Sequence, residues 1–328
     1  MIATWRQAHR VAQLAAVHAR ADFDLPRDTY VDVLEAIRRA DIPLMLQDMP
    51  GHFGTYISPA THGPGILINS RLTMPTLRHT AAHELGHHHL GHGDANDLNL
   101  DLWESQAPGA WTGTEMSAEA FAAWFLMPRP AVLRCLRLLG TDKPRSAYDA
   151  YRLATLLGAS FRGVCRHLVN LELLAPATAA TWARAGRARV RSALAGPYAQ
   201  VADGEVHVLD TDVRDTTVYV YVAANDLLVA TPTVDRALTM LAGEIVGLER
   251  VELDDAAEGQ LDLLDEPHIA CWHVTPEFTD SLHLSSDDPT AAGWSIVIEP
   301  VSIRDGIDLT WLERHQTPMP NTPEESAE

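Results

Sequence analysis

Cysteine is scarce in this chain. The three present, Cys135, Cys165 and Cys271, are scattered and odd in number, which argues against a disulfide framework and for a reducing compartment. Lysine is nearly absent: Lys143 stands alone among 25 basic residues, a bias that the codon usage of a GC-rich genome accounts for. No apolar run approaches the ~20 residues that a membrane span requires. The opening Met-Ile-Ala-Thr-Trp-Arg lacks the charged-then-apolar succession of a signal peptide. A soluble, cytoplasmic protein is expected. What is there suffices for ordinary cores: 46% of the 328 residues are apolar, and at roughly 100–200 residues per domain the length suits two or three domains.

The net charge of −19 hides an asymmetry. Residues 1–200 carry 20 basic and 17 acidic side chains, a balance of +3, and residues 201–328 carry 5 and 27, a balance of −22. Within the first part, residues 129–191 hold 12 basic against 3 acidic residues, or +9. Such blocks mark units with different surfaces.

Helical spacing is expected over residues 3–20 and 29–39, the second with Val31, Val33, Leu34 and Ile37 inward. Strands are expected over 42–47, 54–58 and 65–69, with a Pro/Gly turn between the last two. Residues 75–91 form the strongest helix candidate, opened by Pro75 and closed by Gly91. A polar loop follows from Gly93 to Gly113, with a short helical turn at 101–103. Helices are expected again over 114–126, with Thr114 as cap, and over 131–139 and 146–185. From residue 205 the pattern turns to strands at 205–209, 217–222, 269–274 and 294–298, around a helix at 233–247. The Pro-, Glu- and Ser-rich tail has a disordered composition.

The strongest helix carries His83-Glu84-Leu85-Gly86-His87. Residues four apart share a helix face, so His83 and His87 can aim two imidazoles at one ion. Glu84 then stands beside the metal but off its line, where a general base for a bound water belongs. Zinc lowers the pKa of that water to roughly 7, and Glu84 can take its proton and later return it to a leaving amine. A catalytic zinc keeps three protein ligands and one open position. An extended motif would need histidine ten residues after His83, but Gly93 stands there and His92 misses the register by one. The remaining option is Glu115, at the start of the next strong helix. Glu119 lies one turn on and can orient a histidine by accepting its other ring N–H. His88 and His89 point away from the His83/His87 face, and these two and His92 read as exposed or supporting residues. Tyr56, Arg78 and His79 are nearby candidates for stabilising an oxyanion.

Three blocks in order now carry a resemblance: Ile66-Leu-Ile-Asn69-Ser70, then Arg78-His-Thr-Ala-Ala-His83-Glu84-Leu-Gly-His87, then Glu115-x-x-Ala118-Glu119-x-Phe121-Ala122-Ala123-x-x-Leu126-Met127-Pro128. Over about residues 25–175 the chain resembles the ImmA/IrrE family of metallopeptidases. The resemblance implies a gluzincin-like zinc site with His83, His87 and Glu115 as ligands and Glu84 as catalytic base. It also implies cleavage of a partner regulator, often a helix-turn-helix repressor, which relieves repression of stress or mobile-element genes. Two positions depart from the family form: Glu119 replaces the usual Asn, and His79 the usual Phe.

Residues 151–174 read like a helix-turn-helix, with Gly158 in the turn and Ser160 capping a second helix that bears Arg162 and Arg166. Their basic surroundings suit phosphate contacts. They equally suit a scaffold that docks the acidic C-terminal part or a partner protein, and the resemblance favours the scaffold. The C-terminal part shows no catalytic motif, its acidity disfavours nucleic acid, and His268, His273 and His283 read as structural. The expected fold is α+β. It comprises a zincin-like metallopeptidase domain (1–138), a helix-turn-helix-like helical domain (139–195), an acidic mixed α/β domain suited to sensing or partner binding (196–317) and a disordered tail (318–328). The alternative is a DNA- or partner-binding transcriptional regulator in which the zinc is structural.

Overall fold

An alanine stripe starts the fold. Helix α1 (Trp5–Asp22) is capped by Thr4 and turns Ala8, Ala12, Ala16 and Ala19 inward. Small residues at this spacing let a second helix approach closely, and that helix is α4 (Gly113–Leu126). Buried Arg20 fastens the end of α1 to it, donating to the Phe125 carbonyl (2.8 Å) and to that of Pro26. The structure is a computed structural model and describes residues 2, 4–96, 111–210, 216–253, 270–286, 293–301 and 306–307.

Helix α2 (Val33–Arg39) follows a cap at Asp32. Strands β1 (Leu44–Gln47), β2 (Gly54–Ile57) and β3 (Gly65–Asn69) alternate inward and outward residues. They join β4 (Ala95–Asn96) and β12 (Gly306–Ile307) in a sheet ordered β12-β1-β3-β2-β4. Only β1 and β3 run parallel; the other pairs are antiparallel. Helix α3 (Met74–His89) has Pro75 in its first turn, caps at Leu90, and is followed by Gly91 at φ +68°. It packs on α4 and lies against β2 and β3. The α4 cap differs from expectation: Thr112 accepts from the Glu115 N–H (3.2 Å), so the helix begins one residue before Thr114.

The basic middle segment is helical. It holds α5 (Arg129–Leu138), α6 (Ala147–Leu157), α7 (Phe161–Asn170), α8 (Pro176–Ala185) and α9 (Arg187–Ala195). A capping box of Ser146 and Asp149 opens α6, Gly158 closes it at φ +60°, and Ser160 caps α7 by accepting from Gly163 N–H (3.1 Å). Helix α5 starts at Arg129, earlier than expected, because Pro130 fits a first turn that needs no N–H from it.

Beyond residue 205 lie β5 (Val206–Leu209), β6 (Thr217–Val222), β7 (Leu227–Ala230), α10 (Pro232–Leu241), β8 (Leu248–Arg250), β9 (Ala270–Val274), β10 (Leu282–Ser285) and β11 (Ser295–Pro300). They form two sheets, β5-β7-β9-β8 and β10-β11-β6. A mixed α+β architecture is thus present. One apolar core runs from α1 through the middle helices to Val206, Leu227, Val229 and Cys271. A second gathers around Trp272, Val220 and Ile298. The expected turn at 101–103, His268 and the tail from 317 lie outside the described residues. Among the described residues, no helix is long and apolar enough to cross a membrane.

Candidate metal centre

Helices α3 and α4 meet at a glycine. A Cβ on Gly86 would stand 2.9 Å from Cδ1 of buried Phe121, so only glycine permits this approach. The contact brings the inward face of α3 against the first turns of α4. His83, Glu84 and His87 are each 1% exposed, and the Glu115 side chain is 28% exposed. His83 Nε2 and His87 Nε2 lie 3.0 Å apart. Glu115 Oε2 lies 3.2 Å from the first and 3.4 Å from the second.

That triangle tests whether a metal fits. Donors held about 2.0–2.1 Å from a tetrahedral zinc stand roughly 3.3–3.4 Å from one another, close to the three separations observed. His83, His87 and Glu115 are the group among the described residues whose donor atoms converge tightly enough for an ion. Two imidazoles and a carboxylate are also a donor set that zinc accepts. Burial would raise the Glu115 pKa, but hydrogen bonds and charge from His83 and His87 outweigh it and hold the carboxyl well below the usual range. Glu115 is therefore ionised, as a ligand must be.

Glu84 points toward β2. A Cβ on Gly54 would stand 2.8 Å from Glu84 Oε1 and 2.6 Å from Thr80 Cγ2. The β2 backbone thus passes directly over the carboxylate, leaving no room for a side chain there.

Groups behind the two histidines complete the site. Glu119 Oε2 accepts from His79 Nε2 at 2.8 Å and lies 3.7 Å from His83 Nδ1. Burial raises the Glu119 pKa, but His79 and His83 overcome it and hold the carboxyl well below its ordinary value. His92, whose register excludes it from the extended ligand motif, places Nδ1 3.1 Å from His87 Nδ1. The backbone explains its return. His92 N–H bonds the His87 carbonyl (3.0 Å) and Gly91 N–H that of His88 (3.1 Å), the Schellman pattern of a helix end. This pattern folds the second residue past the cap back over the last turn. The Leu90-Gly91 pair was the signal in the sequence that could have found it. Burial lowers the His92 pKa to about 4, with the charge of His87 adding to the effect, so the ring is neutral near pH 7.

The other nearby candidates are engaged differently. His88 Nδ1 lies 3.2 Å from the Tyr56 hydroxyl, and His89 packs against Phe23 and Phe121. Arg78 is buried away from the site; it donates to the carbonyls of Gly158 (2.9 Å) and Val31 (2.8 Å) and to Tyr30. In the C-terminal part, His273 lies half-buried on β9 and His283 is exposed on β10, both far along the chain from this cluster.

Residues 37–169 match the peptidase M78 family, described as the IrrE N-terminal-like domain. The propionyl-CoA carboxylase regulator of Cereibacter sphaeroides is 27% identical over 159 residues, which cover 48% of this chain and 31% of that protein. The match therefore spans about a third of the relative's length. A solved Mycobacterium tuberculosis transcriptional regulator aligns with 48% of this chain and 46% of its own, at 20% identity and a TM-score of 0.32. Residues 37–169 of the chain are thus similar to the IrrE N-terminal-like domain of the peptidase M78 family.

Proposed function

We propose that this protein is a zinc-dependent endopeptidase that cleaves a protein partner, a helix-turn-helix transcriptional repressor, and so relieves repression of stress or mobile-element genes. The observation that carries the reading is the convergence of His83, His87 and Glu115 with Glu84 on the same helix. A purely structural site needs no base beside its ligands. Bound zinc would polarise the scissile carbonyl and acidify an attacking water. His83, His87 and Glu115 would hold the ion. Glu84 would take the proton from the water and deliver it to the leaving amine. The name of the Cereibacter relative, a regulator, fits a protease acting on gene control.

The test uses the full chain with a small helix-turn-helix repressor encoded beside its gene. The native protein should bind about one zinc and cut that repressor at one site. Glu84→Gln should keep the zinc and lose cleavage by roughly a hundredfold or more. Cleavage at the native rate in that variant would sink the mechanism.

A second reading, a DNA-binding regulator with structural zinc, draws on the α6–Gly158–α7 turn and exposed Arg162. Against it, α7 buries Phe161, Val164, Cys165, His167 and Leu168, which leaves a narrow face for a groove. Salt-sensitive binding of duplex DNA that weakens in Arg162→Ala would favour it.

A further inference from the structure

Two ladders face each other across the α3–α4 contact. His79, His83 and His87 stand four residues apart on α3, and Glu115 and Glu119 four apart on α4. The helices interleave these side chains as His87, Glu115, His83, Glu119, His79. Glu115 Oε2 faces His87 and His83, and Glu119 Oε2 faces His83 and His79. The ladder thus continues one rung beyond the metal-binding set.

We propose that His79 and Glu119 act together as a positioning pair: His79 fixes the Glu119 carboxylate, and Glu119 fixes the ring of His83 from its Nδ1 side. The inference rests on reading His83, His87 and Glu115 as the metal-binding set, and it assigns His79 a role that this set does not include. His83 directs Nε2 toward Glu115 and His87, so Nδ1 is the atom left to orient the ring. Glu119 Oε2 lies 3.7 Å from it. That oxygen is held at 2.8 Å by His79.

Both outer members are largely buried, with side-chain exposures of 12% for His79 and 17% for Glu119. A carboxylate so placed is costly unless paired. Arg166 adds to the positive field around it. His79 and Glu119 face each other across the α3–α4 contact, so changing either position alone breaks the match, and changing both removes the mismatch.

The experiment is a double-mutant cycle on the full chain, read by zinc affinity in competition with a chromogenic chelator. His79→Phe and Glu119→Asn should each weaken zinc binding about ten- to hundredfold. The double variant should bind more tightly than the product of the two losses requires. Cobalt(II) substituted for zinc should show a shifted ligand-field spectrum in Glu119→Asn, which loss of fold stability alone would not produce. If Glu119→Asn fails to fold, the isosteric Glu119→Gln carries the same measurement. Variants that bind zinc like the native protein, or losses that simply multiply, overturn the pairing while leaving the metal site standing. A native chain that takes up no zinc overturns both.

Discussion

His167 sits inside the molecule on α7, its Nε2–H donating to the Met127 carbonyl (2.9 Å) and its ring edge-on to Trp124. Burial lowers its pKa to about 3. No partner among the described residues meets its Nδ1, so a second proton there would find no acceptor. The unfolded chain takes that proton near pH 6.5, whereas the folded chain resists it down to about 3. Between those values the unfolded state binds more protons, and stability must fall as pH falls. The slope from this one residue is about 1.4 kcal/mol per pH unit. His167→Gln, which retains a donor for Met127, should flatten the dependence of unfolding free energy on pH between about 3 and 6.5. An unchanged slope in denaturant titrations would show that another group controls it. Of the histidines, those at 83 and 87 were legible from spacing alone, because four residues make one helical turn. His92 was legible only as a miss, since ligand register says nothing of a chain that reverses at Gly91. Glu119 could be placed beside a histidine by its helical face, but its contact with His79 depends on how α3 and α4 interleave. That is a tertiary fact, and no local pattern encodes it.

The same interleaving sets the tolerance of the α3–α4 contact. Gly86 is a helix-interior glycine, which ordinarily costs roughly 0.5–1 kcal/mol against alanine. Here the sign should reverse. A Cβ would meet three Phe121 atoms at 2.9–3.2 Å, and Phe121 is fully buried with Phe125 stacked beside it. Gly86→Ala should therefore destabilise the fold by about 1–3 kcal/mol through overpacking, read as a lower melting temperature. A variant as stable as the native protein would mean that the helices can move apart. Element ends followed local chemistry where it was strong. Pro75 and Gly91 mark α3, and Pro176 opens α8. Local chemistry failed where the signal was weak. Strand β7, Leu227-Leu-Val-Ala230, is buried on both faces and so lacks the alternation that betrays a strand. Helix α10 stops at Leu241 rather than 247, just before Gly243. The two-residue strands β4 and β12 have no periodicity to read.

At the scale of the whole molecule, a junction at Arg78 connects α3 to the middle helices and to β6. Arg78, five residues before His83, holds the Gly158 carbonyl at the α6–α7 turn and the Val31 carbonyl ahead of α2. Its guanidinium lies 3.9 Å from the centre of the Tyr30 ring. Tyr30 in turn stacks on Tyr221 of β6, with centroids 3.6 Å apart and planes 9° from parallel. Gly158 makes room for this stack, because a Cβ there would fall 2.6 Å from Tyr30 and 2.8 Å from Arg78. The strand part therefore braces α3 through two aromatic rings and a buried cation. Tyr221→Ala removes the outer ring only. Stacked aromatic pairs contribute about 0.5–1.5 kcal/mol beyond the area they bury, and Tyr221 is half-buried, so a total loss of about 2 kcal/mol is expected. The loss should not stay in β6. With its outer support gone, Tyr30 no longer clamps Arg78, and amide hydrogen exchange should quicken along α3 and at the α6–α7 turn as well as in β6. If exchange quickens in β6 alone, the acidic strand part is a passenger on α3. If α3 responds, a change on the β6 face, whether from a partner or a ligand, reaches α3 through a path of three side chains.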